Sequence, residues 1–154
     1  MPLMLLAAAF GRVGCFLAGC CFGSPCAVGV RYPNGSLAHT EHVTAGLLAP
    51  WAGQSLPTVP MPLLESLALL AVFAIGSVVW RKSSRDGNAL TACTLAYSAW
   101  RFLAEFWRGD NHAYWGALTF SQGASIVLFV TSGGVLIYRY REALMKRIWN
   151  PLSW

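Results

Sequence analysis

Charge is what this chain has least of. Its 154 residues hold 6 acids and 11 lysines and arginines, 11% charged in all, where a soluble domain carries about a quarter. So small a share excludes an ordinary solvated surface. The net charge of +5 comes with few free surface cations, which speaks against nucleic acid as a partner. The 5 cysteines contain no C-x-x-C pair, and His39 and His42 lie in a separate stretch, so no metal site is expected. No basic residue precedes the apolar start Met1 to Phe10, which makes a poor signal peptide despite Ala7 to Ala9. Repeats and low-complexity segments are lacking as well.

What remains is apolar: 56% hydrophobic, with a mean hydropathy of +0.51. No charge interrupts Ser66 to Trp80 or Thr119 to Tyr138, and roughly twenty apolar residues cross a bilayer as a helix. In lipid every backbone N–H and C=O must be satisfied within its own segment or in a closed barrel. The expectation is an all-α protein, a multi-spanning transmembrane helix bundle, forming one integral-membrane domain over residues 1–154. Four spans are expected, at about Met1 to Phe22, Pro62 to Trp80, Asn88 to Trp107 and Thr119 to Tyr138. Val43 to Gly53 is too short to cross and contains Pro50, so it reads as an interfacial or re-entrant helix in the first outward loop.

Short cytoplasmic loops collect Lys and Arg. Arg81, Lys82 and Arg85, then Arg139, Arg141, Lys146 and Arg147, therefore assign the loop between the second and third spans and a basic tail, 139–154, to the cytoplasm. Residues 24–61 and 108–118 then face outwards. Trp51, Trp107 and Trp115 on that side, and Trp80, Tyr138 and Tyr140 on the other, suit interfacial belts.

Against this apolar background a few charges stand out. Arg12 sits inside Gly11-Arg12-Val13-Gly14-Cys15-Phe16-Leu17-Ala18-Gly19-Cys20-Cys21-Phe22-Gly23, where an unpaired mid-membrane arginine costs roughly 2.5 to 3.5 kcal/mol. In the third span Tyr97, Arg101, Glu105 and Arg108 recur at helical spacing and share one stripe. Arg101 and Glu105 could simply neutralise each other and hold the bundle together. Arg12, Arg101 and Arg108 nevertheless outnumber Glu105 and Glu65, and the surplus cation asks for an anion. Arginine suits phosphate, since its planar fork offers paired donors and never deprotonates. The glycines at 11, 14, 19 and 23 smooth one flank of the first span, either for close helix packing or for contact with a ligand.

These two motifs, the glycine-arginine run and Tyr97-Ser98-Ala99-Trp100-Arg101-Phe102-Leu103-Ala104-Glu105-Phe106-Trp107-Arg108, flank a loop opening Gly29-Val30-Arg31-Tyr32-Pro33. Together they resemble the bacterial prolipoprotein diacylglyceryl transferase family. The resemblance covers essentially the whole chain and the C-terminal half of the family's usual seven-span protein, as a late start or a partial sequence would. It implies transfer of the diacylglyceryl group of phosphatidylglycerol to the lipobox cysteine of a preprolipoprotein, at the outer face of the bacterial plasma (inner) membrane. The implied partners are phosphatidylglycerol, the preprolipoprotein signal peptide and membrane lipids, with no cofactor.

By resemblance Arg12, Arg101 and Glu105 are catalytic, the paired arginines holding the phosphate. Gly11, Gly14, Cys15, Gly23, Glu65, Tyr97 and Arg108 are substrate-binding. The departures are Cys15 and Cys20, where many members carry Asn and Glu, and Val59 to Glu65, which lacks the usual His and Gln. The histidine proposed as base in the family's N-terminal spans has no motif counterpart here, and His42 is the residue to test in its place. His39 and His112 read as loop histidines and Cys93 as core. A catalytically silent phospholipid-binding membrane protein, or an inactive part of the transferase, is the alternative.

Overall fold

The computed structural model describes residues 2–83, 87–108 and 118–149. Arg85, His112, Trp115 and the end of the expected basic tail, 150–154, lie outside them. The helices are α1 (Pro2–Ala18), α2 (Leu37–Thr44), α3 (Met61–Lys82), α4 (Asn88–Ala104) and α5 (Phe120–Trp149). A 3-10 turn, Glu105–Trp107, extends α4, and one strand, β1 (Pro25–Val30), follows α1.

The long helices pack in a row, α1 on α3, α3 on α4 and α4 on α5. The short 83–87 connection returns α4 alongside α3, with Gly87 left-handed at φ 85° before the first turn of α4. A Cβ on Gly76 would run into Cys93 Sγ, so the small residue sets the α3–α4 approach. On the other side the Ser66 hydroxyl donates to the Ala9 carbonyl at 3.0 Å and pins α3 to α1.

Helices α3 and α5 are long and apolar enough to cross a membrane; α1 is apolar but shorter, and α4 has 17 residues. The burial pattern fits lipid better than water. Among the described residues, buried polar ones outnumber buried hydrophobic ones, while Leu3 and Phe10 of α1, Leu67 and Trp80 of α3, and Val130 and Ile137 of α5 stand exposed. In hydrocarbon such side chains are at home, whereas hydroxyls and charges must turn inwards.

Residues 19–60 depart from the expected all-helical reading. The helix expected over Val43 to Gly53 lies earlier, at Leu37–Thr44. Ser36 caps it, accepting a hydrogen bond from the His39 N–H at 3.2 Å, and left-handed Gly46 (φ 70°) follows its end. β1 joins Thr58 through single antiparallel bridges at Pro25 and Val30. Ser55 fastens the loop: its hydroxyl accepts from the Tyr32 N–H at 2.9 Å, and its own N–H donates to the Tyr32 carbonyl at 2.9 Å. Phe22, Tyr32 and Ala38 form a small core against Phe16.

Candidate functional site

Charged residues from distant parts of the chain converge at one end of the bundle. Pro60 and Pro62 set the start of α3, which places Glu65 one turn inside it. Arg12 approaches from α1 with Nε 2.7 Å from Glu65 Oε2. Arg101 comes from the last turn of α4, donating from Nη1 to Glu65 Oε1 at 2.8 Å while Nη2 lies 3.1 Å from Glu105 Oε2. Arg108 adds a third cation, with Nη1 3.7 Å from Glu65 Oε1. Glu65, which the sequence marked only as one of several binding residues, is the hub.

Sequence reasoning missed the group that orients Glu105. The Thr119 hydroxyl donates to Glu105 Oε1 at 2.8 Å. Thr119 also caps α5: its Oγ1 accepts from the Gln122 N–H at 3.2 Å, and Gln122 Oε1 accepts from the Thr119 N–H at 3.1 Å. This reciprocal pair is a capping box, and Thr-x-x-Gln ahead of an apolar run is its visible signature. Gly23 completes the frame. Its N–H donates to Val59 O at 2.9 Å, it bridges Arg108, and a Cβ there would stand 2.7 Å from Val59 O. Only glycine allows that approach.

Among the described residues the cluster brings three arginines to two carboxylates. Its acids are sealed and its arginines are not: side-chain exposure is 6% for Glu65 and 5% for Glu105, against 26% for Arg12, 18% for Arg101 and 14% for Arg108. Arg12 is the most accessible. Its Nε is paired with Glu65 Oε2 at 2.7 Å.

The other expected site residues divide. Gly11 and Gly14 flank Arg12 and face open space, a Cβ on either meeting nothing within 4 Å, so neither packs against another helix among the described residues. Tyr97 shares the α4 stripe but lines an apolar cavity with Met4, Leu5, Cys93 and Leu128. Cys15 lies with Cys20 and Cys21 rather than with the ion pairs.

His42 is buried and tied into the loop, accepting the Leu56 N–H on Nδ1 at 3.3 Å and standing edge-on to Phe22. The neutral ring therefore carries its proton on Nε2 and has no lone pair to spare. Burial holds its pKa below the ordinary histidine value. His39 is likewise engaged, its Nε2 lying 2.9 Å from the Ala52 carbonyl.

Arg81, Lys82 and Arg139 lie at the pole opposite the arginine cluster. From Glu65 to Lys82 along α3 the rise is roughly 26 Å at 1.5 Å per residue. Arg81 and Lys82 end α3, and Arg139 joins them by donating to Asn88 Oδ1 at 3.0 Å.

An apolar helix bundle with an arginine–glutamate cluster gathered at one pole is the architecture of a membrane protein that turns its charges inwards. The family model of prolipoprotein diacylglyceryl transferase matches residues 1–138, and the chain belongs to that family. It is 34% identical over 147 residues to phosphatidylglycerol–prolipoprotein diacylglyceryl transferase 2 of Clostridium perfringens, covering 92% of this chain and 50% of that protein. The Clostridium tetani enzyme of the same type is 31% identical over 151 residues, covering 92% and 53%. That of Dehalococcoides mccartyi is 31% identical over 142 residues, covering 92% and 50%. The chain thus spans about half the length of the curated relatives it matches. No solved structure matches it.

Proposed function

We propose that the chain works as a phosphatidylglycerol–prolipoprotein diacylglyceryl transferase, in the bacterial plasma membrane, with the Arg12–Glu65–Arg101–Glu105 cluster as its phospholipid site. Arg12 carries the reading: it is the most exposed cation of the cluster, 26% against 18% for Arg101 and 14% for Arg108, and is flanked by two uncovered glycines. The paired arginines then divide the work. Arg12 grips the phosphate, while Arg101 holds Glu65 and Glu105 in place and adds its own field.

In the reaction the substrate thiolate attacks the glyceryl carbon, a C–S bond forms, and the C–O bond to phosphate breaks. The electron pair leaves on the phosphate oxygen as glycerol phosphate departs, and the thiol's proton is lost to a base. Charge on the phosphate grows from one to two as the bond breaks. Fixed cations stabilise that change most. Sidedness follows from the poles: the basic end, Arg81, Lys82 and Arg139, lies inwards, and the arginine–glutamate end faces outwards, where signal peptides emerge.

Lipidation of a reporter prolipoprotein tests this, in cells depleted of their own enzyme. The chain is supplied alone and grafted in place of the matching half of the C. perfringens relative. Lipidation by the graft, lost in Arg12→Gln, is the expected result. An inserted graft that lipidates equally well with Arg12→Gln contradicts it.

One observation favours a second reading, a phospholipid-binding protein without transfer. Both described histidines are spent on the 36–56 loop, which leaves the base unassigned. Phosphatidylglycerol binding with no turnover in either form selects that reading.

A further inference from the structure

Three thiols meet where α1 ends. The Sγ atoms of Cys15, Cys20 and Cys21 all lie within 4.8 Å of one another, each half-buried. Nothing in the C-x4-C-C spacing announces this. The backbone produces it: Gly19 is left-handed at φ 67°, and Cys21 takes the left-handed region at φ 56°. Such a conformation is uncommon for a residue with a Cβ. The reversal lays residues 20 and 21 back over the last turn of α1, with the Cys20 N–H donating to the Cys15 carbonyl at 3.1 Å. Strain of this kind persists where something outside local preference maintains it.

Tyr32 stands over the same turn. Its ring would lie 3.2 Å from a Cβ on Gly19, and its hydroxyl is buried with no hydrogen-bond partner among the described residues. A buried O–H without an acceptor is costly. Cys20 Sγ also reaches the Cys15 carbonyl at 3.5 Å. The remaining two cysteines lie elsewhere, Cys26 Sγ against the Val28 carbonyl at 3.1 Å and Cys93 Sγ against the Val72 carbonyl at 3.7 Å.

We propose that Cys15, Cys20 and Cys21 form a site for a thiophilic d10 metal ion of the Zn2+ class, bound through three sulfurs with the fourth position open to solvent. Tetrahedral sites with Zn–S near 2.3 Å separate their sulfurs by about 3.8 Å, so closing the cluster needs a shift of at most about one ångström per pair. Binding replaces three S–H protons by three metal–sulfur bonds, the protons leaving to solvent. The ion clasps the turn from α1 to Gly23 and thereby supports the frame around Arg108. The proposal does not depend on transferase activity.

The test uses the purified chain in detergent with its thiols reduced, titrated with Cd2+ alone and then with Zn2+ alone. The expected result is one ion per chain with a thiolate-to-Cd2+ charge-transfer band. It is lost in Cys15→Ser, Cys20→Ser and Cys21→Ser and kept in Cys26→Ser and Cys93→Ser. Because a serine variant can fail to fold, Zn2+ protection from alkylation is also mapped by mass spectrometry on the unaltered chain. Protection confined to Cys15, Cys20 and Cys21 supports the site. No saturable binding, binding that survives Cys20→Ser, or equal protection of Cys26 overturns it.

Discussion

Replacing Glu65 by glutamine keeps the side chain's size and removes its charge. In the parent, Glu65 answers Arg12 at 2.7 Å, Arg101 at 2.8 Å and Arg108 at 3.7 Å. Without it Arg12 and Arg108 lose their ion pairs to Glu65, and Arg101 keeps only the one to Glu105. Breaking a buried ion pair from one side costs about 3 to 5 kcal/mol, because the orphaned partner stays desolvated. The arginines here keep some exposure, which puts the expected loss near the lower end, about 3 kcal/mol, or roughly a hundredfold in the folding equilibrium. Equilibrium unfolding in mixed micelles, followed by helical circular dichroism, reads it directly. Glu65→Asp should fall between parent and Glu65→Gln. Arg81→Gln, at the opposite pole, should change stability by less than about 0.5 kcal/mol. A Glu65→Gln loss below about 1 kcal/mol, or an Arg81→Gln loss as large, would refute the hub.

Further outcomes follow from the same geometry. Thr119→Val removes both the α5 cap and the hydroxyl that orients Glu105; a loss of about 1 to 3 kcal/mol is expected in the same unfolding measurement. Gly23→Ala drives a Cβ to 2.7 Å from Val59 O and should destabilise by about 1 to 3 kcal/mol, whereas Gly14→Ala meets nothing within 4 Å and should leave stability unchanged. His42, its pKa held down by burial, stabilises the fold in its neutral form. Its contribution is complete above about pH 6.5 and lost as pH falls below that value, because the unfolded chain then binds the extra proton first. Protonation also takes the acceptor from the Leu56 N–H. Hydrogen exchange at Leu56 should quicken on acidification in the parent, and His42→Phe should show no such pH dependence beyond the intrinsic rate.

How much of this was legible beforehand depends on how local each feature is. Arg101 and Glu105 sit one turn apart on one helix, and their pairing follows from spacing alone. Arg12 declared itself as a charge in an apolar glycine run. The hub at Glu65 could not be read the same way, because it exists only once α1, α3 and α4 pack side by side. The thiol cluster was hidden for a different reason: two left-handed residues, one of them not glycine, fold a spacing that matches no metal motif into a compact triad. The α2 helix and the Thr119 capping box did carry local signals, Ser36 ahead of a short helix and Thr-x-x-Gln ahead of an apolar run. The longer apolar stretches around them overshadowed both. Gly11 and Gly14 show the limit of pattern reading, since glycines in an apolar helix suggest packing and these two face open space.

The central claim is that Arg12 holds a phospholipid phosphate. Binding of phosphatidylglycerol to the detergent-purified chain, measured by native mass spectrometry against Arg12→Gln and Arg81→Gln, tests it most directly. The account predicts binding that Arg81→Gln preserves and Arg12→Gln reduces by at least roughly tenfold, the loss of one charged hydrogen bond. Equal binding by the parent and Arg12→Gln would contradict it.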